Sequence, residues 1–99
     1  MAATPSEVLE LNRVSVDNTA NGKTLAQLGL VLNPHANSVS LMNMGADNIY
    51  IAKADVATKG YILIAYSGVI LHVAVSSVRL LFFYTPVAAT DMNVQQEAL

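Results

Sequence analysis

Between Lys59 and Arg79 run nineteen residues, Gly60 to Val78, without a formal charge. A stretch of that length and apolarity can cross a bilayer as one helix. It can also be cut by turns into short strands buried on both faces. The residues inside it favour the second solution. Gly68, Ser76 and Ser77 fall where strands would have to end. His72 sits in the middle, where a polar group is costly in hydrocarbon. The remaining residues are mostly β-branched or aromatic, which suits a pleated, packed surface. The segment and its continuation therefore predict strands over Tyr61–Tyr66, Val69–Val75 and Val78–Tyr84, the last ended by Thr85-Pro86. The alternative is a small single-pass membrane protein with residues 60–78 spanning.

Upstream segments supply sheet partners. Ser38–Asn43 alternates polar and apolar residues, Met44–Asn48 reads as a turn, and Ile49–Ala52 is a β-branched and aromatic run. A single membrane helix would leave these strands unpaired. Asn21-Gly22 marks a turn. Thr24–Leu32 reads as a strand or one helical turn, broken by Asn33-Pro34. Thr4-Pro5-Ser6-Glu7 has capping-box spacing, so Pro5–Asn12 could form a short helix. The alternation of Val14 and Val16 with Ser15 and Asp17 instead favours an extended segment entering a strand. Short strands separated by turns every 8–12 residues describe an all-β fold. We expect one domain, a small antiparallel β-sandwich or jelly-roll-like core over 14–85. It would carry an extended N-terminal arm over 1–13 and a C-terminal tail over 86–99, where Thr90 or Asp91 could cap a short helix.

Composition then asks what covers this apolar material. The chain has 99 residues, 54% hydrophobic and only 12% charged. A typical domain is about 45–50% apolar and about 25% charged. A chain this small has too little interior to hide such an excess. Burial against other protein chains is the expected answer. The net charge of −2, with no basic cluster, argues against a nucleic-acid partner. With no cysteine, disulfides, cysteine-zinc sites and thiol chemistry are excluded. No basic stretch followed by an apolar run marks a signal peptide near Met1.

No constellation for catalysis stands out. His35 follows a proline in a loop, and His72 lies in a predicted strand, where a hydrogen-bonded sheet or interface histidine is the expected role. The acids Glu7, Glu10, Asp17, Asp47, Asp55, Asp91 and Glu97 all fall in predicted loops, turns or termini. Ser67 lacks a nucleophile elbow, and the glycines make no phosphate loop. We expect no catalytic, cofactor or metal site. The residues that stand out are aromatic. In Phe82-Phe83-Tyr84, successive side chains point to opposite faces of a strand, so at least one large ring faces away from the core. Tyr50, Tyr61, Tyr66, Arg79, Phe82, Phe83 and Tyr84 are the expected subunit-interface residues.

The run Ser38–Gly45 followed by Ile49-Tyr50-Ile51, then Gly60 and Val73–Leu80, resembles small virion proteins of tailed bacteriophages. These share a strand, a turn, a Val/Ile-Tyr-Ile strand, a loop with glycine and a final Val-Arg strand. The likeness spans about residues 14–85; Leu80–Tyr84 is more apolar than the type, and the two ends have no counterpart. It implies a non-enzymatic β-sandwich protein of the virion, assembled in the host cytoplasm, most specifically a capsid decoration or cement protein. The partners it implies are further copies of the chain, a trimer favoured, and the major capsid protein. A tail, neck or fibre subunit, or a carbohydrate-binding fibre-tip module, would be the other uses of such a fold.

Overall fold

Among the residues that the computed structural model describes, 7–54, 56, 60–65, 68–87 and 89–99, seven strands and one short helix follow one another. The strands are β1 (Glu7–Asp17), β2 (Ser38–Asn43), β3 (Ile49–Ala52), β4 (Tyr61–Leu63), β5 (Leu71–Ala74), β6 (Phe82–Tyr84) and β7 (Ala89–Ala98), with α1 (Val75–Val78) between β5 and β6. All pairings are antiparallel and fall into two sheets. One has four strands in the order β1-β7-β2-β5, the other three in the order β4-β3-β6. The chain is thus all-β. Buried residues from both sheets join one core: Val14, Val16, Val39, Leu41, Met92 and Val94 from the larger, Ile49, Ile51, Leu63 and Phe83 from the smaller.

The two ends of the chain depart most from expectation. In place of an N-terminal arm, Glu7–Asp17 is the longest strand, and in place of a tail, Ala89–Ala98 is the second longest. They pair with each other along almost their whole length, with one bulge between Val8 and Glu10. β7 occupies the interior of its sheet, bonded to β1 and β2. Its inward positions are Thr90, Met92, Val94 and Gln96, all buried. Two of these four are polar, which hides a period-two pattern that is present in space. Neither the helix considered over Pro5–Asn12, within the described residues from Glu7, nor the capped C-terminal helix forms.

The long uncharged segment also differs in detail. The strands expected over Tyr61–Tyr66 and Val69–Val75 shorten to β4 and β5, and Tyr66 lies outside the described residues. The strand expected over Val78–Tyr84 keeps only Phe82–Tyr84. Before it, Val75 and Val78 are both buried at a spacing of three while Ser76 and Ser77 face solvent, so helical rather than strand periodicity governs there. Among the described residues no helix is long and apolar enough to cross a membrane.

Four polar side chains order the loops on this frame. Asn43 donates from Nδ2 to the carbonyls of Asp47 (2.7 Å) and Leu63 (2.9 Å), and its Oδ1 accepts from the N–H of Gly45 (2.9 Å). It thereby ties the end of β2 to β4 in the other sheet. Gln96, fully buried, accepts from the N–H of Asn33 (2.6 Å) and donates to Asn12 Oδ1 (2.9 Å). Thr24 and Gln27 cap each other's backbone N–H groups at 2.8 and 3.3 Å. This reciprocal cap starts a helical turn that Gly29 ends at φ +94°, and Leu30 N–H returns to the Leu25 carbonyl (3.0 Å). Gly45 is required by space: a Cβ there would sit 1.7 Å from Thr90 Oγ1.

Candidate protein-interaction surfaces

The smaller sheet sorts the aromatic residues by face. Ile51 pairs with Phe83, and Ile49 with Leu63, on the side turned to the core. Phe83 is completely buried, so in this fold it serves the interior and is not available to a partner. The opposite face carries a cross-strand row. Ile62 on β4, Tyr50 on β3 and Tyr84 on β6 stand directly opposite one another. The rings of Tyr50 and Tyr84 stack, with centroids 6.0 Å apart and planes 30° from parallel. Ala52 and Phe82 form the next row. Tyr50, Phe82 and Tyr84 are half-buried, and Ile62 is 45% exposed. Three of the seven expected interface residues thus share one apolar face.

The other expected residues lie elsewhere. Tyr61 pairs with Ile51 and so belongs to the core side, but at the end of its strand it is half exposed. Arg79 is exposed beside a groove of about 530 Å³ lined by Leu25, Leu30 and Leu32. Sequence reasoning named the aromatic triplet but could not sort its faces, because all three residues are apolar.

The larger sheet presents a different outer face. There Ser40 on β2 stands between Gln95 on β7 and His72 on β5. The Ser40 hydroxyl donates to Glu97 Oε1, and its oxygen lies 2.8 Å from His72 Nδ1. Since the single hydroxyl proton goes to the carboxylate, Nδ1 must be the donor in the second bond. Glu97 and Ser40 are buried and His72 is exposed. The order acid–serine–histidine differs from the acid–histidine–serine wiring in which a histidine base takes a nucleophile's proton. It links the outer faces of three strands. Two rows along, Arg13 Nε donates to Asn93 Oδ1 at 3.1 Å. A shallow groove of about 360 Å³ crosses this face among Leu11, Arg13, Met42, Ile70 and Gln95.

The sheet edges differ as well. On β6, the N–H and carbonyl of Phe83 both bond Lys23, at 2.8 and 3.0 Å. Lys23 also pairs with Asp17, Nζ to Oδ2 at 2.8 Å. That bond, with help from Thr19, holds the Asp17 carboxyl down at about 2. Asp17, expected in a loop, is the last residue of β1. Among the described residues, no group of three or more histidine or carboxylate side chains gathers as a metal site would need. Set against known protein families, curated proteins and solved structures, the chain matches none.

Proposed function

We propose that this chain is a non-enzymatic assembly subunit whose three-stranded sheet is covered by neighbouring protein chains. In this reading the two sheets make a β-sandwich, and the chain works as a decoration or cement protein on a phage capsid, as its likeness to small virion proteins suggests. The observation that carries it is the apolar outer row of Ile62, Tyr50 and Tyr84. A face of this kind on a 99-residue chain keeps apolar area in water. A partner that removes it gains roughly 25 cal/mol per Å² before the costs of association. Aromatic residues at the centre of such a patch are the usual anchors of protein interfaces.

The test pairs Tyr50→Asp with Tyr84→Asp. Both side chains leave the core untouched, so the double variant keeps its β-sheet circular dichroism. It is expected to lose co-sedimentation with the particle that carries the native chain. Phe83 is unsuited to this test because it is buried in the core, so its substitution would lower stability as well as alter any contact. If the unmodified chain sediments as a monomer at micromolar concentration and electron microscopy finds it on no particle, the reading fails.

A further inference from the structure

We propose that Asn21 is a spontaneous modification site gated by the fold: the intact turn holds back its deamidation through a succinimide, and the isoaspartyl product releases the Lys23 cover of the β6 edge. Asn21-Gly22 is the one Asn-Gly pair in the chain. The N–H of Gly22 bonds the Thr19 carbonyl (2.9 Å), closing a four-residue turn with Asn21 in its third position at φ +71°. Asparagine is among the few residues with a side chain that accept such a φ. Gly22 follows at φ +74°, and a Cβ there would sit 2.9 Å from Val56 Cγ1 and 3.0 Å from the Phe83 carbonyl oxygen. Backbone conformation and space therefore select this dipeptide. A chemical liability comes with it, because glycine leaves its amide nitrogen unshielded beside the asparagine side chain.

In the reaction the Gly22 amide nitrogen gives its proton to solvent and attacks Asn21 Cγ. The N–Cγ bond forms, the Cγ–Nδ2 bond breaks, and Nδ2 leaves as ammonia with a proton from water. Water then opens the five-membered ring at either carbonyl. One product is aspartate; in the other, isoaspartate, the main chain runs through Cβ and Cγ. Asn21 is exposed, so water reaches it. The obstacle is the backbone. The attacking nitrogen is the donor to Thr19, and turning it toward Cγ rotates the Asn21–Gly22 peptide and breaks that bond. Both flanks resist the rotation. Before the turn, Asp17 Oδ1 accepts from the N–H of Thr19 (3.0 Å). After it, Lys23 is held by two backbone bonds to Phe83 (3.0 and 2.8 Å) and by its ion pair with Asp17 (2.8 Å). Reaction therefore waits for a local opening of the turn. Isoaspartate adds one backbone atom between Thr19 and Gly22, while Val56 and Phe83 leave Gly22 no room to shift. The turn cannot close as before, Lys23 loses its register with Phe83, and the backbone groups of Phe83 lie uncovered at the edge.

Peptide mapping of the full chain by mass spectrometry, with aspartate and isoaspartate separated chromatographically, tests this in mildly alkaline buffer with and without unfolding urea. In urea Asn21 is expected to react first, ahead of Asn37, which precedes Ser38. In native buffer it should react roughly tenfold or more slowly, the protection that a few hydrogen bonds give against local opening. Asp17→Ala removes the Thr19 bond and the Lys23 ion pair and should speed the native reaction severalfold. Ser40→Ala, which lowers stability away from the turn, should not. If Asp17→Ala loses its β-sheet spectrum, Lys23→Ala, which removes the ion pair alone, decides. Hydrogen exchange then compares the aged isoaspartyl chain with Asn21→Asp, which carries the new charge on an unaltered backbone. The amides of Lys23 and Phe83 should lose protection in the first and keep it in the second. Equal rates in native buffer and urea overturn the gating, as does an equal gain in Asp17→Ala and Ser40→Ala. Protected Lys23 and Phe83 amides in the isoaspartyl chain overturn the release of the edge.

Discussion

The two sheets solve the same problem in opposite ways. The four-stranded sheet keeps much of its outer face polar and spends those groups on one another, through Glu97, Ser40 and His72 and through Arg13 and Asn93. The three-stranded sheet leaves an apolar row there, Ile62, Tyr50 and Tyr84. The edges reverse this order. The smaller sheet's β6 edge is closed by Lys23 through Phe83, while no described residue pairs along the larger sheet's β1 edge from Leu11 to Ser15. A face that bonds internally has little to gain from a partner, whereas an apolar face or an unpaired edge has surface and hydrogen bonds to complete. Interaction capacity is therefore read from what each sheet leaves undone, and the two sheets leave different things.

The largest effect that sharpens this contrast comes from adjacent residues of one strand. Phe83→Ala empties the centre of the core and is expected to cost about 3–5 kcal/mol in urea unfolding. Tyr84→Ala, one residue on and facing outward, is expected to cost about 1 kcal/mol or less. Similar losses at both positions would break the assignment of faces. Next is Gly45→Ala, where the new Cβ collides with Thr90 Oγ1 at 1.7 Å. We expect a loss of about 2–3 kcal/mol. Thr90→Ala in the same chain should recover only part of it, because Asp91 N would still lie 3.1 Å from that Cβ. Calorimetric melting of the two single variants and the double variant measures the coupling.

Ser40→Ala is a smaller change. It leaves buried Glu97 without the hydroxyl and His72 without its acceptor, and should cost about 1–3 kcal/mol in urea unfolding. A loss greater than that of Tyr84→Ala would show that one outer face serves stability while the other does not; equal losses would remove the distinction. The smallest effect lies at the Asp17–Lys23 pair. The carboxyl titrates at about 2 in the folded chain against an ordinary 3.8. The unfolded chain therefore takes up the proton first as the pH falls. The stabilisation is present above the ordinary value and disappears as the pH drops through about 2. Lys23→Gln should bring the Asp17 midpoint, followed by NMR, back up toward 3.8, with a minor change in stability because the pair is on the surface.

Much of the fold was legible in the chain. Alternation at Ser38–Asn43 and the β-branched run Ile49–Ala52 became β2 and β3 within the predicted bounds, while the uncharged stretch holds two strands shorter than expected and a helical turn at Ser76-Ser77. The ends were not legible. Thr90 and Gln96 take inward positions that sequence patterning assigns to apolar residues, and Gln96 is tolerated there only because Asn12 and Asn33 satisfy it from distant parts of the chain. The same holds for the candidate surfaces. The run Phe82-Phe83-Tyr84 states that large rings lie on both faces of a strand, since side chains alternate, but not which face is inside. The sequence by itself determined that the chain is β-rich and carries more apolar residues than a small interior can hold. Only the tertiary structure decided that Phe83 is core and Tyr50 and Tyr84 are surface, and that β1 lies at an edge of its sheet, where no described residue bonds the backbone groups of Leu11, Arg13 and Ser15. Local periodicity fixes which residues share a side, whereas which side is inside, and which strand is last, depends on contacts between segments far apart in the chain.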